Sequence, residues 1–263
     1  GSNTALSLAL VAEAGSIEDD ATANIAVTNN ASFTANGAVG AITLGDAVGN
    51  VDNFGSLNAV SSGSIYISED STMDINVITA GNAVTLISET SSILDNNAAA
   101  MNITAPGQVT LTAVDYFGRV ADSNVLKNPG TGTVTVGNAI ETSITLLDAS
   151  VTANGGEISI DNSGAGALTL GSAGTFSLAG VNQTSIWLRN DNSIAVTSWQ
   201  VGTSDNIGLI ATTGNISIAP VGINLGRDAV TGGTLRLEAA LAGQDVSMTG
   251  GNLNSITAKN FVL

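Results

Sequence analysis

The sequence predicts an all-β fold, a right-handed parallel β-helix of about nine rungs with three short strands each. Three observations lead there: a composition that starves helices and aromatic cores, a short phrase recurring along the chain, and a period-two alternation inside each copy. Of the 263 residues, 43% are hydrophobic but only 3% are aromatic, and 31 are glycine. A core without aromatics has to be assembled from Val, Ile, Leu and Ala in thin, regular layers. Glu, Lys, Arg and Gln, the residues that fill exposed helix faces, are scarce.

The phrase is an apolar residue, a small residue two positions on, a short polar stretch often holding Gly, then Ile or Val. Leu10-Val11-Ala12 leads to Gly15-Ser16-Ile17, Leu57-Asn58-Ala59 to Gly63-Ser64-Ile65, and Leu209-Ile210-Ala211 to Gly214-Asn215-Ile216. Looser copies start at Phe33, Leu86, Leu111, Leu147, Leu178 and Leu237, so nine anchors recur at separations of 23 to 36 residues. Repetition at such a period is the signature of a solenoid, whose turns absorb length variation at the corners.

Inside the copies, Ile158-Ser159-Ile160 and Ile216-Ser217-Ile218 alternate apolar and polar residues, as strands with one buried face do. A third alternating stretch accompanies several units: Asn24 to Val27, Asp74 to Val77, Met101 to Thr104, Thr133 to Val136 and Ala167 to Leu170. Three strands and three turns per unit make one rung, and nine rungs at about 4.8 Å each make a rod of roughly 40 Å. An antiparallel β-sandwich also offers short alternating strands, but it does not predict a recurring phrase. The stretch from Ala121 to Gly130 reads as a longer corner loop, and nothing in residues 1–263 reads as a linker between domains. Gly1-Ser2 reads as an expression scar, and the whole as a segment of a longer protein with its export signal elsewhere.

Six basic residues against 22 acidic ones give a formal charge of −16. That balance argues against nucleic acid and anionic membranes as partners, since both demand basic patches. No apolar run is long enough to insert into a membrane. Cysteine and histidine are absent, which removes thiolate metal sites and the commonest general base.

Three constellations remain. Asp20, Asp46, Asp70, Asp95, Asp122, Asp161 and Asp191 follow the second anchors at about one per rung, a pattern that would stack them as an acidic column. Turn chemistry accounts for most such aspartates. Where carboxylates crowd, around Asp19 and Asp20 or around Asp70 and Asp74, calcium is the cation they suit, because it takes several converging oxygens. Trp187, Arg189 and Asp191 alternate along one strand and so share a face, the best local candidate for a carbohydrate contact. The commonplace reading of the same group is a Trp covering a core edge beside a surface ion pair. No cofactor is required.

The Leu-x-Ala, Gly-x-Ile and Asn-Ile phrasing resembles the degenerate repeats of filamentous-haemagglutinin-like exoproteins and other giant bacterial adhesins. The resemblance spans nearly the whole chain and lies in the style of repeat. It implies a β-helical fibre shaft at the bacterial cell surface or outside the cell, a role in adhesion through carbohydrate or a neighbouring cell's surface protein, and no catalytic residues. The alternative that β-helices also serve is carbohydrate cleavage, as in tailspike-like hydrolases or polysaccharide lyases.

Overall fold

The computed structural model describes residues 2–20, 22–47, 50–98, 100–118, 139–153, 155–164, 166–171, 176–178, 185–200, 206–219, 223–224, 234–248, 256–257 and 260–262. These residues form strands and turns and no helix. The strands assemble into a 14-stranded sheet, a 12-stranded sheet and a two-stranded ladder, each following the order of the chain. Every pairing among them is parallel. The expected parallel β-helix is therefore the fold.

One column of the 12-stranded sheet shows how the sequence produces it. Ile17, Ile42, Ile65, Val84, Val109, Leu147, Leu170, Val196, Ile218 and Met248 lie in direct register from rung to rung. All but Met248 and the end-rung Ile17 are essentially excluded from water. Burying each such side chain is worth about 1.5–3 kcal/mol relative to exposure. The column has ten members where nine copies of the phrase were counted, and the reason is physical. Anchors Leu10, Phe33 and Leu57 lie in the 14-stranded sheet, Leu86, Leu111, Leu147 and Leu178 in the other, and Leu209 and Leu237 back in the first. Both sheets bury one aliphatic face, so the phrase reads alike on either.

The steps along this column vary from 19 residues (Ile65 to Val84) to 38 (Val109 to Leu147). The ladder tolerates that range because loop-closure entropy grows only slowly with length. The longest step contains residues 119–138, outside the described residues, where the loop from Ala121 to Gly130 and the strand from Thr133 to Val136 were expected.

Three segments per rung are present, although two often run together. Ser2–Ala5 and Leu8–Ala12 both pair with the single strand Asn24–Ala35. Ile93–Asp95 and Ile103–Thr104 both pair with Met73–Ala80, and Tyr116–Phe117 and Ile140–Ser143 both pair with Glu157–Asn162. Further along, division moves to the other sheet: Leu146–Val151 pairs with Leu168–Leu170 through its first half and with Phe176–Leu178 through its second. The stretches beginning at Asn24 and Asp74 are thus first halves of long strands, whereas Leu168–Leu170 belongs to the opposite sheet.

The inner column of the 14-stranded sheet changes chemistry on the way. Leu10, Phe33, Ala59, Ile78 and Ile103 are followed, in register, by Thr142, Asn162 and Asn190, and then by Ala211. Phe33 packs edge-to-face on Phe54 with ring centroids 5.5 Å apart. The end member Leu10 is exposed, but the polar members are as buried as the other apolar ones, at 0% exposure for Thr142 and Asn162 and 1% for Asn190.

Candidate functional site

The rod offers three polar constellations, and the first is a corner of carboxylates in the early rungs. Asp19 follows the strand Ile17–Glu18, and Asp52 sits in the turn before the strand Asn53–Ser61. One oxygen of each is held by the backbone. Asp19 Oδ2 accepts from Gly45 N at 3.1 Å and from Asn50 Nδ2 at 2.7 Å, and Asp52 Oδ1 accepts from Ile25 N at 2.9 Å. The other oxygen of each is buried with no donor, as is Asn50 Oδ1. Burial, with Asp19's charge adding to it against the opposing Ile25 N–H bond, pushes the Asp52 carboxyl up to about 6.

Nearby, Glu69 closes the strand Ile65–Glu69 and is fully excluded from solvent. Its Oε1 accepts from Phe54 N at 2.8 Å and Ser71 Oγ at 3.1 Å, while Oε2 has no donor. Burial raises this carboxyl to about 8; the two bonds work against that, and the charges of Asp74 and Asp52 reinforce it. A carboxylate placed in such a site favours its neutral form.

The expected calcium residues scatter around this corner without forming one ligand set. Asp20 caps its own turn, Oδ1 accepting from Thr22 N at 2.8 Å and Thr22 Oγ1 at 2.9 Å, bonds that hold its carboxyl below the usual range. Asp70 donates its N–H to Asp52 O at 3.0 Å. Asp74 is half-buried, and burial raises its carboxyl. Among the described residues no three His, Cys, Asp or Glu side chains converge tightly enough to hold a metal. Nor do the recurring aspartates stack: Asp95 lies opposite Ile75, and Asp161 between Glu141 and Arg189. Asp122 lies outside the described residues. Variable rung lengths displace residues that occupy similar places in the phrase.

The second constellation is an amide ladder inside the later rungs. Thr142 Oγ1 donates to Asn162 Oδ1 at 2.8 Å, and Asn162 Nδ2 donates to Asn190 Oδ1 at 2.8 Å and to Ile144 O at 3.1 Å. Ile144 N returns a bond to Asn162 Oδ1 at 3.0 Å, and Asn190 Nδ2 reaches Ser193 O at 2.8 Å. An amide both donates and accepts, so stacked amides satisfy one another.

The third is a charged row on the outer face of the 14-stranded sheet, where Glu141, Asp161, Arg189, Ile210 and Glu238 lie in register on successive strands. Arg189 clamps Asp161 with Nε at 2.8 Å from Oδ1 and with Nη2 on Oδ2. That bond holds the guanidinium proton more firmly than usual. Burial, then the charges of Asp95 and Asp161, push Glu141 up to about 7, and its Oε2 has no donor.

The expected group of Trp187, Arg189 and Asp191 is rearranged. Arg189 pairs with Asp161 of the preceding rung, and Asp191 lies exposed beyond the strand Ser185–Asn190, its N–H on Asn162 O at 3.1 Å. Trp187 is 1% exposed and lies over Gly208, where a Cβ would come within 2.5 Å of its ring. It presents no ring to solvent. Asp52 and Glu141 are among the residues that reading the chain missed. Asp52 meets Ile25 from 27 residues away, and Glu141 meets Asp161 only once residues 119–138 have been allowed for.

The fold and these sites define the class, a parallel β-helix with polar corners. No family model, curated protein or solved structure matches the chain.

Proposed function

We propose that this chain is a rigid rod segment of an exported bacterial surface protein, serving adhesion or surface contact. The observation that supports the reading most is the unbroken in-register ladder from Ile17 to Met248, which makes a stiff spacer of ten stacked strands. At about 4.8 Å per strand such a stack is roughly 45 Å long. The charge of −16 keeps rods from associating side by side. The partner is a carbohydrate or a protein on a neighbouring cell, met along the flank or at a region the rod carries.

A second reading, cleavage of a polysaccharide, draws on Glu141 and Asp161. They face each other on adjacent strands, about 4.8 Å apart in the ladder. One carboxyl is raised to about 7 and the other is clamped by arginine. Two carboxyls set close together, one of them with a raised affinity for its proton, are the kind of pair that retaining glycosidases use.

One experiment separates the two. The chain is immobilised and incubated with a panel of bacterial and plant polysaccharides, and both retention and product size are measured. Retention of full-length polymer is the expected result. Shortened products that disappear with Glu141→Gln would replace the shaft by an enzyme.

A further inference from the structure

Between residues 1 and 118 the sequence has twelve acidic side chains and no lysine, arginine or histidine; the first basic residue is Arg119. The buried carboxylates of the early corner therefore have no cation from their own rungs. Three side chains there share one arrangement. Asp19, Asn50 and Asp52 are each anchored through one polar atom, by Gly45 N and Asn50 Nδ2, by Asp19 Oδ2 and Asp20 O, and by Ile25 N respectively. Each leaves the remaining oxygen buried without a donor. Asn50 is 8% exposed and Asp52 1%. Asn50 bonds Asp19 directly at 2.7 Å, and Asp52 lies two residues beyond Asn50 on the same stretch of chain.

We propose that the free oxygens of Asp19, Asn50 and Asp52 form a binding site for a hard divalent cation, calcium, at the corner joining the first three rungs. An oxygen-only donor set of two carboxylates and an amide carbonyl suits calcium, which fills its remaining positions with water. A buried oxygen that lacks any donor is destabilising, more so when charged, and one cation satisfies all three at once. With two carboxylates the affinity belongs with extracellular modules, on the order of 10⁻⁴–10⁻³ M. The site uses neither the Glu141–Asp161 row nor a surface partner, so it stands or falls apart from both functional readings.

The test is thermal unfolding of the full chain at one neutral pH, in chelator, in about 10 mM calcium chloride, and in sodium chloride of matched ionic strength. Calcium is expected to raise Tm by roughly 3–6 °C beyond the sodium control. Asp52→Asn keeps the acceptor for Ile25 N–H and so folds, but it loses the calcium increment. Asp19→Asn, which likewise keeps an oxygen to accept from Gly45 N and Asn50 Nδ2, also loses the increment. A calcium increment no larger than that of sodium overturns the site, as does an increment that survives unchanged in Asp52→Asn.

Discussion

Residues 1–118 hold twelve acidic and no basic side chains, whereas residues 119–263 hold the other ten acidic residues (22 less 12) and all six basic ones. The buried polar corners differ in the same way. In the early rungs Asp52 and Glu69 each bury an oxygen without a donor; in the later rungs Thr142, Asn162 and Asn190 bond one another along the rod. A β-helix forces this choice, because a position repeated every rung stacks a side chain on its own kind. Amides tolerate stacking since each donates and accepts. Carboxylates only accept and repel one another, so they need a proton or a cation from outside. The early rungs thus bury carboxylates that stacking cannot satisfy, whereas the amide ladder of the later rungs satisfies itself, and Glu141 on the outer row beside it shares the early rungs' predicament.

The largest expected break is in the amide ladder. Asn162→Ala strips Thr142, Asn190 and the backbone of Ile144 of partners inside the core and should cost about 3–5 kcal/mol, read by chemical denaturation. A loss under 1 kcal/mol would mean that the ladder contributes little.

Next comes pH. The fold raises Glu69 to about 8 and Glu141 to about 7, above ordinary carboxylate values, so it favours their protonated forms. That stabilisation is complete below the unfolded values near 4.5 and is lost as pH rises through 7 and 8. Between pH 5 and 9 Tm should fall by roughly 4–8 °C, or about 2 kcal/mol. Most of the fall comes from Glu69, since Glu141 is partly solvated and screened. Glu69→Gln should flatten the slope; an undiminished slope would assign the effect to general charge repulsion instead.

The smallest effect sharpens the contrast from the charged side. Arg189→Ala removes the clamp on Asp161, and because the arginine is one-third exposed the cost should be only about 1 kcal/mol. Its more sensitive readout is the titration of Glu141, which loses a nearby positive charge and should move further up.

How much was legible follows from the same geometry. Ile158-Ser159-Ile160 announces a strand by itself, and Asp20 with Thr22 announces a turn, because both signals are local. The division between sheets was not legible: Leu57 and Leu86 sit in matching phrases yet on opposite sheets. Register was hidden too, because rung length runs from 19 to 38 residues. Hence Asp52 beside Ile25, Glu141 beside Asp161, and Arg189 on Asp161 rather than Asp191 could be recovered only from the stack.

The central claim, a parallel stack in the stated register, is tested most directly by engineered disulfides in a chain that has no cysteine. Ala195 and Ser217 are Cα partners on adjacent strands, and Ser247 lies one strand beyond Ser217. The pair Ala195→Cys with Ser217→Cys should close readily under mild oxidation, as mass spectrometry of the digested protein would report. The pair Ala195→Cys with Ser247→Cys spans two rungs, about 9.6 Å, beyond disulfide reach, and should stay reduced. Closure of the second pair and not the first would contradict the register and with it the β-helix described for this chain.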